Sequence, residues 1–192
     1  MKTFIAFIVL ILLTSCDKND AVSDKSIAQE EFYYGDEFHK NINKVYSGNI
    51  NWAVFKKDKN MAKVLYEPAH PNQNYSDYRK GEGKLYSKWI FSEEPETQER
   101  IFASNFDLLI EAELEPNASI GLHKHLRTEE IYYVIDGDLL VYIKDDNGEL
   151  EESIRLNKGD AHMVRIGQSH ACKAGEYGAK FLTIGIRVNN EN

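Results

Sequence analysis

Residues 121–137 read Gly121-Leu-His-Lys-His-Leu-Arg-Thr-Glu-Glu-Ile-Tyr-Tyr-Val-Ile-Asp-Gly137, and residues 159–170 answer with Gly159-Asp-Ala-His-Met-Val-Arg-Ile-Gly-Gln-Ser-His170. His123 and His125 stand two apart, and alternate residues of a β-strand face the same way, so both imidazoles point to one side. A short polar turn, Leu126 to Thr128, follows. Glu129 or Glu130 then opens the β-rich run Ile131 to Ile135, which Asp136-Gly137 closes with a turn signal. His170 stands just beyond a glycine-containing turn in the second stretch. Three imidazoles and one carboxylate can therefore converge, and that donor set suits a first-row transition metal.

The rest of the chain agrees with a strand reading. Ala62 to Glu67 reads as a strand stopped by Pro68, and another begins after Gly81-Glu-Gly83 and runs to Phe91. Between Leu109 and Glu115, Ile110, Ala112 and Leu114 alternate with Glu111, Glu113 and Glu115, the pattern of a half-buried strand with an acidic outer face. Asn147-Gly148 is a hairpin turn between Asp138–Lys144 and Leu150–Leu156. Lys180 to Val188 makes a last strand. Many short strands with no long helix among them indicate an all-β barrel or jelly roll.

The two motif stretches resemble the signature motifs of the cupin superfamily, small double-stranded β-helix proteins. The first motif is matched at His123, His125, Glu130 and Gly137, and its spacing to Gly137 selects Glu130 over Glu129. Its leading glycine is displaced: the pattern wants it at Asn117, whereas Gly121 lies nearer the histidines. The second motif is met at Gly159, Gly167 and His170, with Arg165 in place of a proline and Ala174 in place of an asparagine. The glycine-rich turn before Leu85 is further similar to small, oxalate-decarboxylase-like single-barrel cupins. The resemblance implies one divalent ion (Mn, Fe, Co, Ni or Zn) held by His123, His125, Glu130 and His170. It also implies dioxygenase, decarboxylase or isomerase chemistry on a small carboxylic acid or sugar derivative. The other reading is a barrel that captures such a ligand without turning it over. Cupins often pair, which makes a second copy of the chain a candidate partner.

Strand alternation places further side chains. Tyr132 and Val134 share the inward side with Glu130, so Tyr132 is either a phenol near the metal or a wall residue. Cys172 shares a face with His170 and reads as a small pocket-lining hydrophobe. His162 is either a support for the ligands or a packed rim residue. Arg165 either meets an anionic substrate at the barrel mouth or pairs on the surface. His39 and His70 lie outside the motifs and read as surface residues.

The beginning of the chain carries an address. Lys2 precedes an apolar run from Phe4 to Leu13, too short to span a bilayer and suited to a signal peptide. Leu13-Thr14-Ser15-Cys16 resembles a bacterial lipobox, which implies cleavage before Cys16 and a lipid on its thiol. Cys172 is then the one remaining thiol, and no intramolecular disulfide can form. The organisation expected is a lipoprotein signal over 1–15, a flexible tether over 16–31, an N-terminal arm with the first strands over 32–80, and the barrel over 81–190. Within the arm, Phe32 to Val45 has helical potential weakened by Gly35. Lipid anchoring would hold the domain at the bacterial envelope. A net charge of −8 argues against nucleic acid or an anionic membrane surface as partner.

Overall fold

Alternating apolar and polar residues, punctuated by glycines, produce nine strands in the computed structural model, which describes residues 32–35, 57–58, 61–92 and 102–188. All of these fall in one compact unit spanning 31–192. The signal peptide, Cys16, the tether and residues 36–45 of the expected helix, His39 among them, lie outside the described residues. The start of that helix is corrected: Tyr33–Tyr34 is a short strand, β1. It runs parallel to β2 (Ala62–Tyr66), with Tyr33 opposite Val64.

The remaining strands are β3 (Leu85–Ser92), β4 (Phe106–Leu114), β5 (Ser119–Lys124), β6 (Thr128–Lys144), β7 (Glu151–Asn157), β8 (Ala161–Val164) and β9 (Ser169–Arg187). From β2 onward every pairing between strands is antiparallel. The hydrogen-bonded order is β1-β2-β3-β4-β9-β6-β7, with β5 added along β9 and β8 along β6. The two long strands pair along their whole length and serve two sheets. Their outer ends (Thr128–Val134 with Phe181–Arg187) join β4 and β8, while their inner ends (Leu139–Lys144 with Ser169–Ala174) join β5 and β7. This is the jelly-roll arrangement expected from the sequence.

One boundary expectation changes. Asp136-Gly137 does not end a strand; β6 continues through it, and the register with β9 shifts at Val134/Asp136 and again at Gly137/Leu139. Gly137 sits at φ 71°, and a Cβ there would lie 2.2 Å from the Gly178 carbonyl oxygen. A glycine therefore makes the bulge that turns β6 from one sheet into the other. The turn-like composition is real, but its role is to bend a strand.

The core is the space between the two sheets. Val64, Leu114, Val134, Leu139, Val141, Val164 and Phe181 are all essentially sealed from solvent. Burial of each such side chain stabilises the fold by roughly 1.5–3 kcal/mol. In β4, Ile110, Ala112 and Leu114 are buried while Glu113 is exposed, as the alternation predicts. Glu111 on that outer face pairs with Lys88 and Lys180. Cys172 belongs to this core and does not line the cavity described below, and burial pushes its thiol up to about 12.

Candidate metal centre

His123 near the end of β5 is the direct cross-strand neighbour of His170 near the start of β9. That register alone brings two imidazoles together. His125 follows one residue beyond β5, and its backbone stays in register: its N–H donates to the Gln168 carbonyl and its carbonyl accepts from Gly167 N–H, both at 2.9 Å. Gly167, at φ 85°, makes the turn that permits this. The Nε2 atoms of the three rings form a triangle with sides of 3.1, 3.1 and 3.2 Å. Among the described residues these three make up the one metal-competent cluster.

Partners of the Nδ1 atoms fix the tautomers. His123 Nδ1 lies 2.9 Å from the Gly121 carbonyl oxygen and His125 Nδ1 2.8 Å from that of Thr128. A carbonyl only accepts, so each Nδ1 carries the proton and each Nε2 turns a lone pair inward. His170 Nδ1 faces His162 Nε2 at 3.1 Å. With its own lone pair in the triangle, His170 donates that proton to His162. His162 thus supports an imidazole of the cluster from behind, in line with the first of the two readings the sequence left open.

Protonation does not relieve the crowding of lone pairs. Burial, before any other cause, holds His123 and His170 well below the ordinary imidazole range and lowers His125. Three nitrogens sharing one ion at ~2.1 Å would stand about 3.0–3.4 Å apart across octahedral to tetrahedral angles. The observed triangle fits that spacing, and neutral imidazoles are the donor type a first-row ion prefers. When bound there, the ion would supply Lewis-acid polarisation or an activated oxygen ligand.

Glu130, in β6, lines the same cavity with a carboxylate oxygen 4.0 Å from His125 Nε2. It stands beside the nitrogen triangle without being part of it. Tyr132 also faces inward: its ring lies 5.0 Å from that of His170 and stacks on Phe181. Burial first, and then the Glu130 charge, hold its phenol well above the usual range, so it stays protonated as a hydrogen-bond donor. Arg165 is exposed and lies outside the cavity lining. Its backbone N–H donates to Gln168 Oε1 at 2.9 Å, a bond the proline of the motif could not make, so the substituted turn is held in another way.

The displaced glycine of the first motif also finds a reason. Asn117, where the pattern wants glycine, takes φ 63°, a left-handed conformation that asparagine tolerates. Gly121 is required for a different cause: a Cβ there would lie 2.0 Å from the carbonyl oxygen of His70. The loop after β2 thus passes directly over β5, tied down by Gly121 N–H donating to the Ala69 carbonyl at 3.0 Å.

That crossing adds to the reading of His70. It is exposed, as the sequence suggests, yet its ring stacks on His123 at 3.8 Å with 9° between planes and lines the cavity. Desolvation of the ring, and then His125, lower its basicity. No motif includes it, and only the proline-bearing loop hinted at a special path. Equally unforeseen is a buried chain behind His125. Asp107 is fully buried, accepts from Arg187 Nη2 at 2.7 Å and from Thr128 Oγ1 at 3.0 Å, and so anchors the residue whose carbonyl orients His125. At the mouth the lining cations are Arg127 and Lys124, both exposed; Lys124 is paired with Asp146.

The barrel carries a three-imidazole face. Residues 110–185 match the family described as the cupin domain. Among curated proteins the chain is similar to an oxalate-binding protein of Thermotoga maritima, 29% identical over 116 residues, covering 59% of this chain and 85% of that one. Among solved structures it is similar to a Thermotoga maritima protein described as a predicted oxalate decarboxylase. There the identity is 25% and the TM-score 0.45, with 62% of this chain and 94% of that chain covered. A Bacillus subtilis oxalate decarboxylase variant aligns at 26% identity and TM-score 0.47, over 55% of this chain but only 26% of that longer one.

Proposed function

We propose that the chain is an envelope-tethered, metal-dependent cupin enzyme acting on a small oxygen-rich compound. One observation carries the proposal: three Nε2 lone pairs converge within 3.2 Å, their tautomers fixed from behind. His123, His125 and His170 hold the ion, and Glu130 completes the set on its open side. The substrate's oxygen atoms meet the ion, Arg127 draws an anionic group to the mouth, and Tyr132 offers its phenolic proton from the inner wall. The reaction class is dioxygenase, decarboxylase or isomerase.

The test is elemental analysis of residues 17–192, made without chelator or histidine tag, beside His123→Ala and His170→Ala. About one equivalent of metal in the wild type and its loss in both variants is expected; full metal in either variant overturns the ligand set. Metal-loaded protein that consumes a bound carboxylate or sugar acid identifies an enzyme. The similarity to an oxalate-binding protein favours a second reading, capture without turnover. Stabilisation by a compound that is never consumed would select it.

The tether rests on the lipobox-like Leu13-Thr14-Ser15-Cys16. Radiolabelled palmitate should enter the full chain expressed in a bacterium and be absent from Cys16→Ala. Labelling of both, or of neither, removes the anchor from the proposal.

A further inference from the structure

The centre opens into a cavity of ≈ 370 Å³. Its apolar lining includes Leu85, Trp89, Leu108, Ile110 and Ile120, with Ser87 and Thr183 as polar interruptions. Its charged and imidazole groups come mostly from the consecutive stretch 123–130: His123, Lys124, His125, Arg127 and Glu130. The volume falls in the ~300–1,000 Å³ range of sites that enclose drug-sized ligands, and corresponds to roughly a dozen waters. A two-carbon dicarboxylate would reach the imidazoles and leave most of this space unfilled. The apolar lining is hydrophobic surface kept open, and what it stabilises is an apolar body.

We propose that this site takes a ring-bearing compound with an anionic, oxygen-chelating head, the ring lying between Leu85, Trp89 and Ile110 and the head on the side of His123 and His125. The inference rests on the metal reading for the head alone; the ring site stands on the cavity itself. Most of the body wall comes from strands that carry none of the histidines. β5 brings His123 and β9 His170, while β3 and β4 bring Leu85, Trp89, Leu108 and Ile110.

Two probes share one head and differ in the body: lactate carries a methyl group and mandelate a phenyl on the same α-hydroxycarboxylate. Binding of each, and of oxalate, is measured by calorimetry on metal-loaded protein, on His123→Ala, and on two cavity-filling variants, Ile110→Phe and Ala112→Leu. Mandelate is expected to bind about tenfold or more tightly than lactate or oxalate to the wild type. Either filling variant that stays folded and keeps its metal should cut that preference at least about fivefold. Lactate or oxalate binding as tightly as mandelate overturns the ring-bearing class while leaving the metal reading intact. So does a preference that both filled variants retain. A preference for mandelate that persists in a protein shown to carry no metal supports the ring site and defeats the metal reading instead. Failure of all three probes to bind metal-loaded protein overturns the proposed head and ring together.

Discussion

His162 Nε2 lies 3.1 Å from His170 Nδ1, and the two rings stack with their centroids 5.3 Å apart and 28° between planes. The contact gives the most deeply buried ligand both its tautomer and its orientation. Replacing His162 with Ala leaves the nitrogen triangle chemically complete but unsupported on one side. Metal affinity should fall about 10–100-fold, the usual consequence of losing an orienting partner behind a ligand. Competition against a fluorescent chelator measures it, and unchanged affinity would reduce His162 to a packing residue.

Asp107 is expected to matter for stability more than any other polar side chain behind the site. Asp107→Ala removes the buried carboxylate that Arg187 and Thr128 share. With Arg187 partly exposed, that loss should cost about 1–3 kcal/mol. Denaturant unfolding of the metal-free protein reports that cost directly, and a change below about 1 kcal/mol would mean that the pair is readily replaced by water.

The metal-free barrel should lose stability in mild acid. His162 is pushed down to about 4 from an ordinary 6.5, chiefly by burial, and His123, His125 and His170 are lowered by the same cause. In the unfolded chain these rings accept protons near pH 6.5 and in the folded chain only at lower pH. Between those values the unfolded state binds more protons, so stability is full above about pH 6.5 and falls as pH drops toward 4. Melting temperatures recorded with chelator from pH 7.5 to 4.5 should decline steadily. A flat profile would show that the histidines are already solvated.

Gly121→Ala is expected to break the site from a distance. The new methyl group would meet the His70 carbonyl at 2.0 Å, and backbone on both sides leaves no flexible side chain to yield. The loop must lift, taking the ring of His70 off His123. Destabilisation of roughly 2 kcal/mol or more, with weakened metal binding, is the anticipated result. Gly148→Ala, where a Cβ meets nothing within 4 Å, serves as the comparison, since its positive φ alone is at stake.

Much of this architecture was legible before any coordinates. The acidic–apolar alternation of β4 and the spacing of His123, His125 and His170 are local patterns, and local patterns survive translation into three dimensions. Asp136-Gly137 was legible as chemistry but ambiguous in use, because a glycine at positive φ serves a turn and a bulge equally well. His70, Asp107 and Arg187 were not legible at all. Each reaches the site through a crossing or pairing between distant segments, and nothing in its own neighbourhood encodes that meeting. Arg165 was open between two readings, because a motif position marks a place in the backbone; its exposure outside the cavity lining favours the surface one.

The overpass of the 67–71 loop above β5 has a wider consequence. All three nitrogen donors lie within residues 110–185, the stretch shared with the cupin family. Tyr66, Ala69, His70, Leu85, Ser87, Trp89 and Leu108, which wall the cavity, all precede it. Part of the cavity wall is therefore supplied by a length of polypeptide outside that stretch and meets it only in the folded barrel. Exchange of residues 61–92 between two such proteins would change that part of the wall and leave the three imidazoles in place.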